Sequence, residues 1–258
     1  MHPLCRCLPG ERAEDIDLME GRYRERHYRR TVSPGPLVPF TVTYRESDLF
    51  VLSRPGLPRE ALEALKEAWG IIEKYGLSHP PFLTSLEPLA TDWQAHPLVT
   101  EMMEGARAAG VGPMAAVAGA VAEYVGKALL CLSTEVIVEN GGDIFISSTR
   151  ARAVRIFTDN TCFGDKVVIE VDSFPAGLCT SSGVIGPSLS FGRADAASVL
   201  SPSAALADAA ATALGNLVKT EDDVEEAIEK AKTIEGVKGI VVIIGRKIGL
   251  WGDLRLAK

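Results

Sequence analysis

Histidine is scarce in this chain, with only His2, His27, His79 and His96. Five cysteines in a chain of 258 residues give no disulfide framework. Cys5 and Cys7 form C-R-C near the start, without the further Cys/His pair that a zinc site needs. Cys131 and Cys162 sit in apolar or turn contexts and read as structural. Cys179 has no histidine near it in sequence, and a catalytic thiolate needs a base or a positive neighbour. Excess positive charge is also lacking. The formal net charge is -7, which excludes a protein built for nonspecific nucleic-acid binding. The first twelve residues, M-H-P-L-C-R-C-L-P-G-E-R, lack the apolar core of a secretory signal. The expectation is therefore a cytoplasmic protein. The apolar stretch 113–132 contains Glu123 and Lys127 and is dominated by Ala and Gly. It reads as a buried helix packed closely through small residues, not as a membrane span. There are no internal repeats and no low-complexity segment.

What is present is ordinary for a globular chain: 47% hydrophobic and 24% charged residues. Residues 1–20 read as a loose N-terminus and 21–258 as one domain. Strands are expected at 22–31, 39–45 and 48–53. A helix runs from Pro58 to Tyr75 and stops at Gly76. Residues 77–96, with Pro80, Pro81 and Pro88, read as an irregular connection. Helices follow from Pro97 to before Gly110 and over 113–131. Strands recur at 134–138, 143–147, 152–157, 166–171 and 176–180. A helix over 202–218 comes next, with Ser201 as N-cap and Pro202 as first helical residue. Thr220 and Asp223 open an amphipathic helix to about Lys232, and strands at 239–244 and 247–251 end the chain. The pattern predicts an α+β domain, with helices packed on one face of a mostly antiparallel sheet.

The chemistry concentrates between Gly177 and Asn216. In L-A-D-A-A-A-T-A, Asp208 and Thr212 lie four residues apart, on one face of a helix. The surrounding Ala and Leu predict that this helix is buried, and a buried carboxylate needs a partner or a metal. A carboxylate and a hydroxyl on one face suit a hard cation such as Mg²⁺. The alternative is structural: Thr212 bonds the helix backbone and Asp208 meets an arginine or backbone amides. Upstream, a β-branched run ends at Glu139-Asn140, and Gly141-Gly142 turns the chain into Asp143-Ile144. Paired glycines let a ligand approach the backbone, although an ordinary hairpin turn needs them as well. The run R-Y-R-E-R-H-Y-R-R at 22–30 reads as a charge-protected edge strand before an anion-binding one.

Taken together and in order, E-N-G-G-D-I, C-T-S-S-G and L-A-D-A-A-A-T-A resemble the ApbE-like superfamily, whose best-known members are FAD:protein FMN transferases. The runs G-L-C-T-S-S-G, S-L-S-F-G-R-A-D-A and S-A-A-L-A-D-A-A-A-T-A are closer still to a cytoplasmic branch of it with no assigned function. The resemblance implies a T-fold-like ApbE-type domain, Mg²⁺, and FAD or a related flavin nucleotide as ligand. By position it assigns the metal to Asp208, Thr212 and the Asn140 carbonyl. It assigns the nucleotide to Asn140, Gly141, Gly142, Asp143, Thr180, Ser181, Ser182 and Gly183. The implied reaction is FMN transfer to an acceptor protein, or cleavage of the FAD pyrophosphate; no residue is assigned the catalytic step. Two features depart from the transferases. Gly119 or a neighbour stands where they have a lysine, and residues 188–196 lack their His and Asp-Pro. The alternative is a non-catalytic binding or accessory module on the same fold. The resemblance implies neither nucleic acid nor membrane as partner, and leaves a homodimer open.

Overall fold

The computed structural model describes residues 36–158, 160, 162–163, 167–183 and 191–256. The expected loose N-terminus, the arginine-rich strand, Cys5 and Cys7 lie outside the described residues. So do residues 188–190 of the 188–196 segment.

The described strands build an antiparallel eight-stranded sheet. Its members are β1 (Val38–Tyr44), β2 (Ser47–Ser53), β3 (Val136–Asn140), β4 (Asp143–Ser147), β7 (Ala176–Ser181), β8 (Ala196–Ser201), β9 (Gly239–Ile244) and β10 (Lys247–Gly252), hydrogen-bonded in that order. Side chains alternate between the faces of a strand, and the sequence follows this rule. Val136, Val138, Phe145, Cys179, Val199, Ile240 and Val242 point to one core. Ile137, Ile144, Ile146, Leu178, Leu200, Val241 and Ile243 point to the other.

The first core is roofed by helices: α1 (Pro58–Ser78), the short α2 (Pro81–Thr84), α3 (Pro97–Ala109), α4 (Val117–Leu129), α5 (Ala204–Leu217) and α6 (Val224–Ala231). The second core is closed by a small sheet of β5 (Arg152–Arg155), β6 (Val168–Val171) and β11 (Arg255–Leu256). Val154, Ile169 and Val171 of that sheet pack with Ile137 and Ile146 of the large one. The expected α+β class, antiparallel sheet and one-sided helix layer are what the structure has.

Several boundaries differ, each for a physical reason. α1 runs through Gly76 to Ser78, because Gly76 is buried where a Cβ would lie 2.6 Å from the Leu83 side chain. That glycine serves packing, and the prolines after His79 stop the helix. Strand β8 has no counterpart in the sequence reading. Its A-A-S-V-L-S is poor in the β-branched and aromatic residues that mark strands. Its place between β7 and β9 makes it a strand. α5 begins after Ser203, whose Oγ accepts from the Leu206 amide at 3.3 Å. Ser201 is instead the last residue of β8, and its Oγ accepts from the Ser203 amide at 3.2 Å.

Among the described residues no single helix is long and apolar enough to cross a membrane. The Ala/Gly-rich segment is a 3-10 turn (Pro113–Ala116) followed by α4. Its glycines set how closely it packs. A Cβ on Gly126 would lie 2.2 Å from the buried Phe145 ring, and one on Gly119 would lie 2.2 Å from the Ala204 carbonyl oxygen. Gly126→Ala should therefore cost about 1–3 kcal/mol in urea unfolding, by overpacking. Gly70→Ala, in α1 with open space around it, should instead raise stability by about 0.5–1 kcal/mol.

Candidate functional site

The β3–β4 hairpin turns through Gly141 and Gly142, with φ of 68° and 109°. Two successive positive φ values are what a tight hairpin turn needs, and glycine reaches them without a Cβ penalty. Nothing lies within 4 Å of where a Cβ on Gly141 would stand, so the turn is open to approach. Asn140 and Asp143 face each other across its base. The Gly142 amide donates to Glu139 Oε1 at 2.9 Å.

The start of α4 lies against this hairpin and against α5. Asn140 Nδ2 donates to the Ala118 carbonyl at 3.1 Å, and the Gly119 amide donates to Asp208 Oδ2 at 2.9 Å. First-turn amides have no partner inside their own helix, so the Asp208 carboxylate caps α4 from outside. The exchange is reciprocal. Glu123 of α4 is buried, and its Oε2 accepts from the Ala204 amide at 2.7 Å and the Ser203 hydroxyl at 3.2 Å, at the start of α5. Lys127 pairs with Glu123 Oε1 at 3.0 Å.

Asp208 thus meets backbone amides, as the structural alternative allowed. That does not quiet its charge. Burial pushes its carboxyl up to about 7, against the pull of the Gly119 and Ala118 amides. Asp143 is also buried, and its Oδ1 has no hydrogen-bond partner. Burial, then the Asp208 charge, raise its carboxyl well above the usual range, with Glu139 adding to the effect and the Cys179 thiol opposing it. Cys179 is buried with its Sγ 3.4 Å from the Ala204 carbonyl. Burial and the charges of Asp143 and Asp208 hold it as a neutral thiol, the reverse of what a nucleophile needs. Cys131 and Cys162 are exposed.

The structure therefore brings Asn140, Asp143 and Asp208 together around the start of α4, with Cys179 beside them. Thr212 is half-buried one turn farther along α5. Ser181 packs against that helix near Gly215, its Oγ buried and unpartnered. Thr180 does not join them. Its hydroxyl pairs with Ser198 Oγ at 2.8 Å, on the face of Leu178 and Leu200. Gly183 is also engaged, its amide donating to the Ala194 carbonyl at 2.9 Å. A phosphate cradle cannot use that amide as it stands. Ser182 follows the last residue of β7, Ser181, and precedes Gly183. The three acids near the departing motifs, Glu123, Asp143 and Asp195, have different surroundings. Glu123 is committed to α5, and Asp195 accepts from Asn160 Nδ2 and the Gly245 amide; Asp143 is the one of the three that feels the Asp208 charge.

Sequence reasoning missed the backbone of Ala118 and Gly119 and the role of Glu123. The only signal was an acid inside an Ala/Gly helix, which demands a partner without naming it. Among the described residues no three His, Cys, Asp or Glu side chains converge as a metal cage. Any cation here would rely also on hydroxyl, carbonyl or ligand oxygens.

This architecture is that of the ApbE flavin transferases. The solved structure of the Pseudomonas stutzeri flavinyl transferase ApbE superposes with a TM-score of 0.51 at 15% identity, covering 86% of this chain and 94% of that one. The ApbE protein of Thermotoga maritima gives 0.52 at 13%, covering 86% and 97%. At such identity the likeness concerns the fold. Residues 29–254 match the family model described as AbpE bacteria, and the chain belongs to that family, within the ApbE-like superfamily. The UPF0280 protein of Methanosarcina acetivorans is 40% identical over 200 residues, 75% of this chain and 79% of that protein. The UPF0280 protein of Archaeoglobus fulgidus is 38% identical over 221 residues, 83% and 92%.

Two outcomes test this geometry. Glu123→Ala leaves the first amides of α5 unmet in the core and should cost about 1–3 kcal/mol in chemical unfolding. The second is pH dependence. A carboxyl whose folded-state pKa lies above its unfolded value contributes stability that is full below the unfolded value, near about 4, and is lost as pH rises through the folded one. The melting temperature without added metal should therefore fall between about pH 4 and the folded value of about 7 for Asp208. Asp208→Asn should flatten that slope.

Proposed function

We propose that this protein binds a flavin nucleotide, FAD or a close relative, together with Mg²⁺ at the Asp208 site. The observation that carries the reading is the buried Asp143–Asp208 pair beneath the open Gly141–Gly142 turn. Two neighbouring carboxyls in a core stay ionised only at a cost unless a cation offsets them, and without one burial favours their protonated forms. The oxygen donors present suit a hard cation. Asp208 and Thr212 would hold it with the Asn140 carbonyl. Bound there, Mg²⁺ would polarise a phosphoryl oxygen and offset charge on the leaving group. The open hairpin turn gives the phosphates room to approach, with Asp143 below it and Ser181 and Ser182 at the end of β7. The resemblance of the chain supports FMN transfer to a hydroxyl of an acceptor protein, or hydrolysis of FAD to FMN and AMP, in the cytoplasm.

A second reading is favoured by one observation. Gly119 packs where a Cβ would lie 2.2 Å from the Ala204 carbonyl and 2.8 Å from Asp208 Cβ. No lysine side chain can stand there, so a group the transferases carry has no room at this position. On that reading the protein binds the nucleotide without transferring FMN.

Calorimetric titration of FAD with and without Mg²⁺, repeated on Asp208→Ala, tests the proposal. Binding that needs Mg²⁺ and disappears in the variant is expected. Binding indifferent to both would overturn it. Release of FMN and AMP, or flavin attached to an added acceptor, then separates enzyme from binding module.

A further inference from the structure

The proposed metal set leaves out the group in greatest need of a ligand. Asp143 is 7% exposed, and its Oδ1 has no hydrogen-bond partner. The charges bearing on it, Asp208 and Glu139, are both negative, and only the neutral Cys179 thiol and Thr180 amide favour its ionised form. Its position is held from several sides. It pairs across the hairpin with Asn140, whose side chain is fastened to the Ala118 carbonyl, and Ala118 adjoins the Gly119 amide bound to Asp208. It projects to the helix-covered face, two residues before Phe145, where Cys179 and α5 also pack. A second buried oxygen without a partner, Ser181 Oγ, lies on the same side along α5.

We propose that the Asp143 carboxylate is itself a cation ligand, so that β4 and α5 each give one carboxylate to the same ion. This rests on the cation site proposed above and adds a ligand to it. Two carboxylates in place of one would let the ion bind before any nucleotide phosphate arrives. Carboxylate number sets the affinity of an oxygen site for a divalent ion. The protein would then hold its metal in the resting state instead of acquiring it with the nucleotide.

Titration with Mn²⁺ alone, an oxygen-seeking stand-in for Mg²⁺, tests this in the absence of flavin. The wild type should bind one equivalent. Asp143→Asn, of nearly equal shape, should weaken binding at least about tenfold while keeping its circular dichroism spectrum. Asp143→Cys should shift preference from Mn²⁺ toward thiophilic Cd²⁺ by about tenfold or more. Asp143→Asn binding like wild type while Asp208→Asn binds nothing would overturn this inference and leave the Asp208 site standing. A wild type that binds no Mn²⁺, or an Asp208→Asn protein that binds it normally, would overturn both. Infrared difference spectra of the wild type with carboxyl-labelled aspartate do not depend on any variant folding. Two aspartate bands moved by Mn²⁺ support the proposal, and one contradicts it.

Discussion

The exchange of carboxylates between α4 and α5 is the constraint on which the rest depends. Each helix begins inside the core, where unmet amides would be costly. Each start is met by an acid from the other helix: Asp208 to Gly119, Glu123 to Ala204. The positive end of a helix dipole favours that acid. The exchange works only at close approach, and Gly119 permits it by leaving its Cβ position to the Ala204 carbonyl. The small residues that marked this segment as a closely packed buried helix are what let the two helix starts share their acids.

The two halves of the exchange are not equivalent. Glu123 also has Lys127, so its charge is balanced within its own helix. Asp208 has amides, and its charge bears on another buried carboxyl, Asp143. Two buried carboxyls whose charged forms are disfavoured therefore sit at one place, close to the open glycine turn. Asp208 serves the fold by capping α4, whereas Asp143 Oδ1 meets no partner. A site for a cation and a phosphate-bearing ligand would be stabilised by filling it.

Much of this was legible in the residues. The alternation in V-I-V-E-N and D-I-F-I-S, the glycine turn between them and the Thr220–Asp223 capping box are local signals, and the chain obeys them. The Asp208–Thr212 spacing sits on a helix as the pattern requires. What escaped the residues was long-range. Strand β8 owes its existence to β7 and β9, and Ser203 replaced Ser201 as cap because β8 takes Ser201. Glu123 finds its partner 81 residues away. Asn140 was assigned for its carbonyl, yet its side chain does the visible work of tying the hairpin to α4. The hydroxyl of Thr180 was grouped with the site by motif, and strand alternation sends it to the other face.

A cation site at Asp208 coupled to a flavin nucleotide can be seen directly. The most direct measurement is an anomalous difference map from crystals grown with Mn²⁺ and FAD. The expected result is a single manganese peak about 2.1 Å from side-chain oxygens of Asp208 and Thr212, with a nucleotide phosphate on its open side. Flavin density with no metal peak at Asp208, or manganese bound only elsewhere, would contradict it.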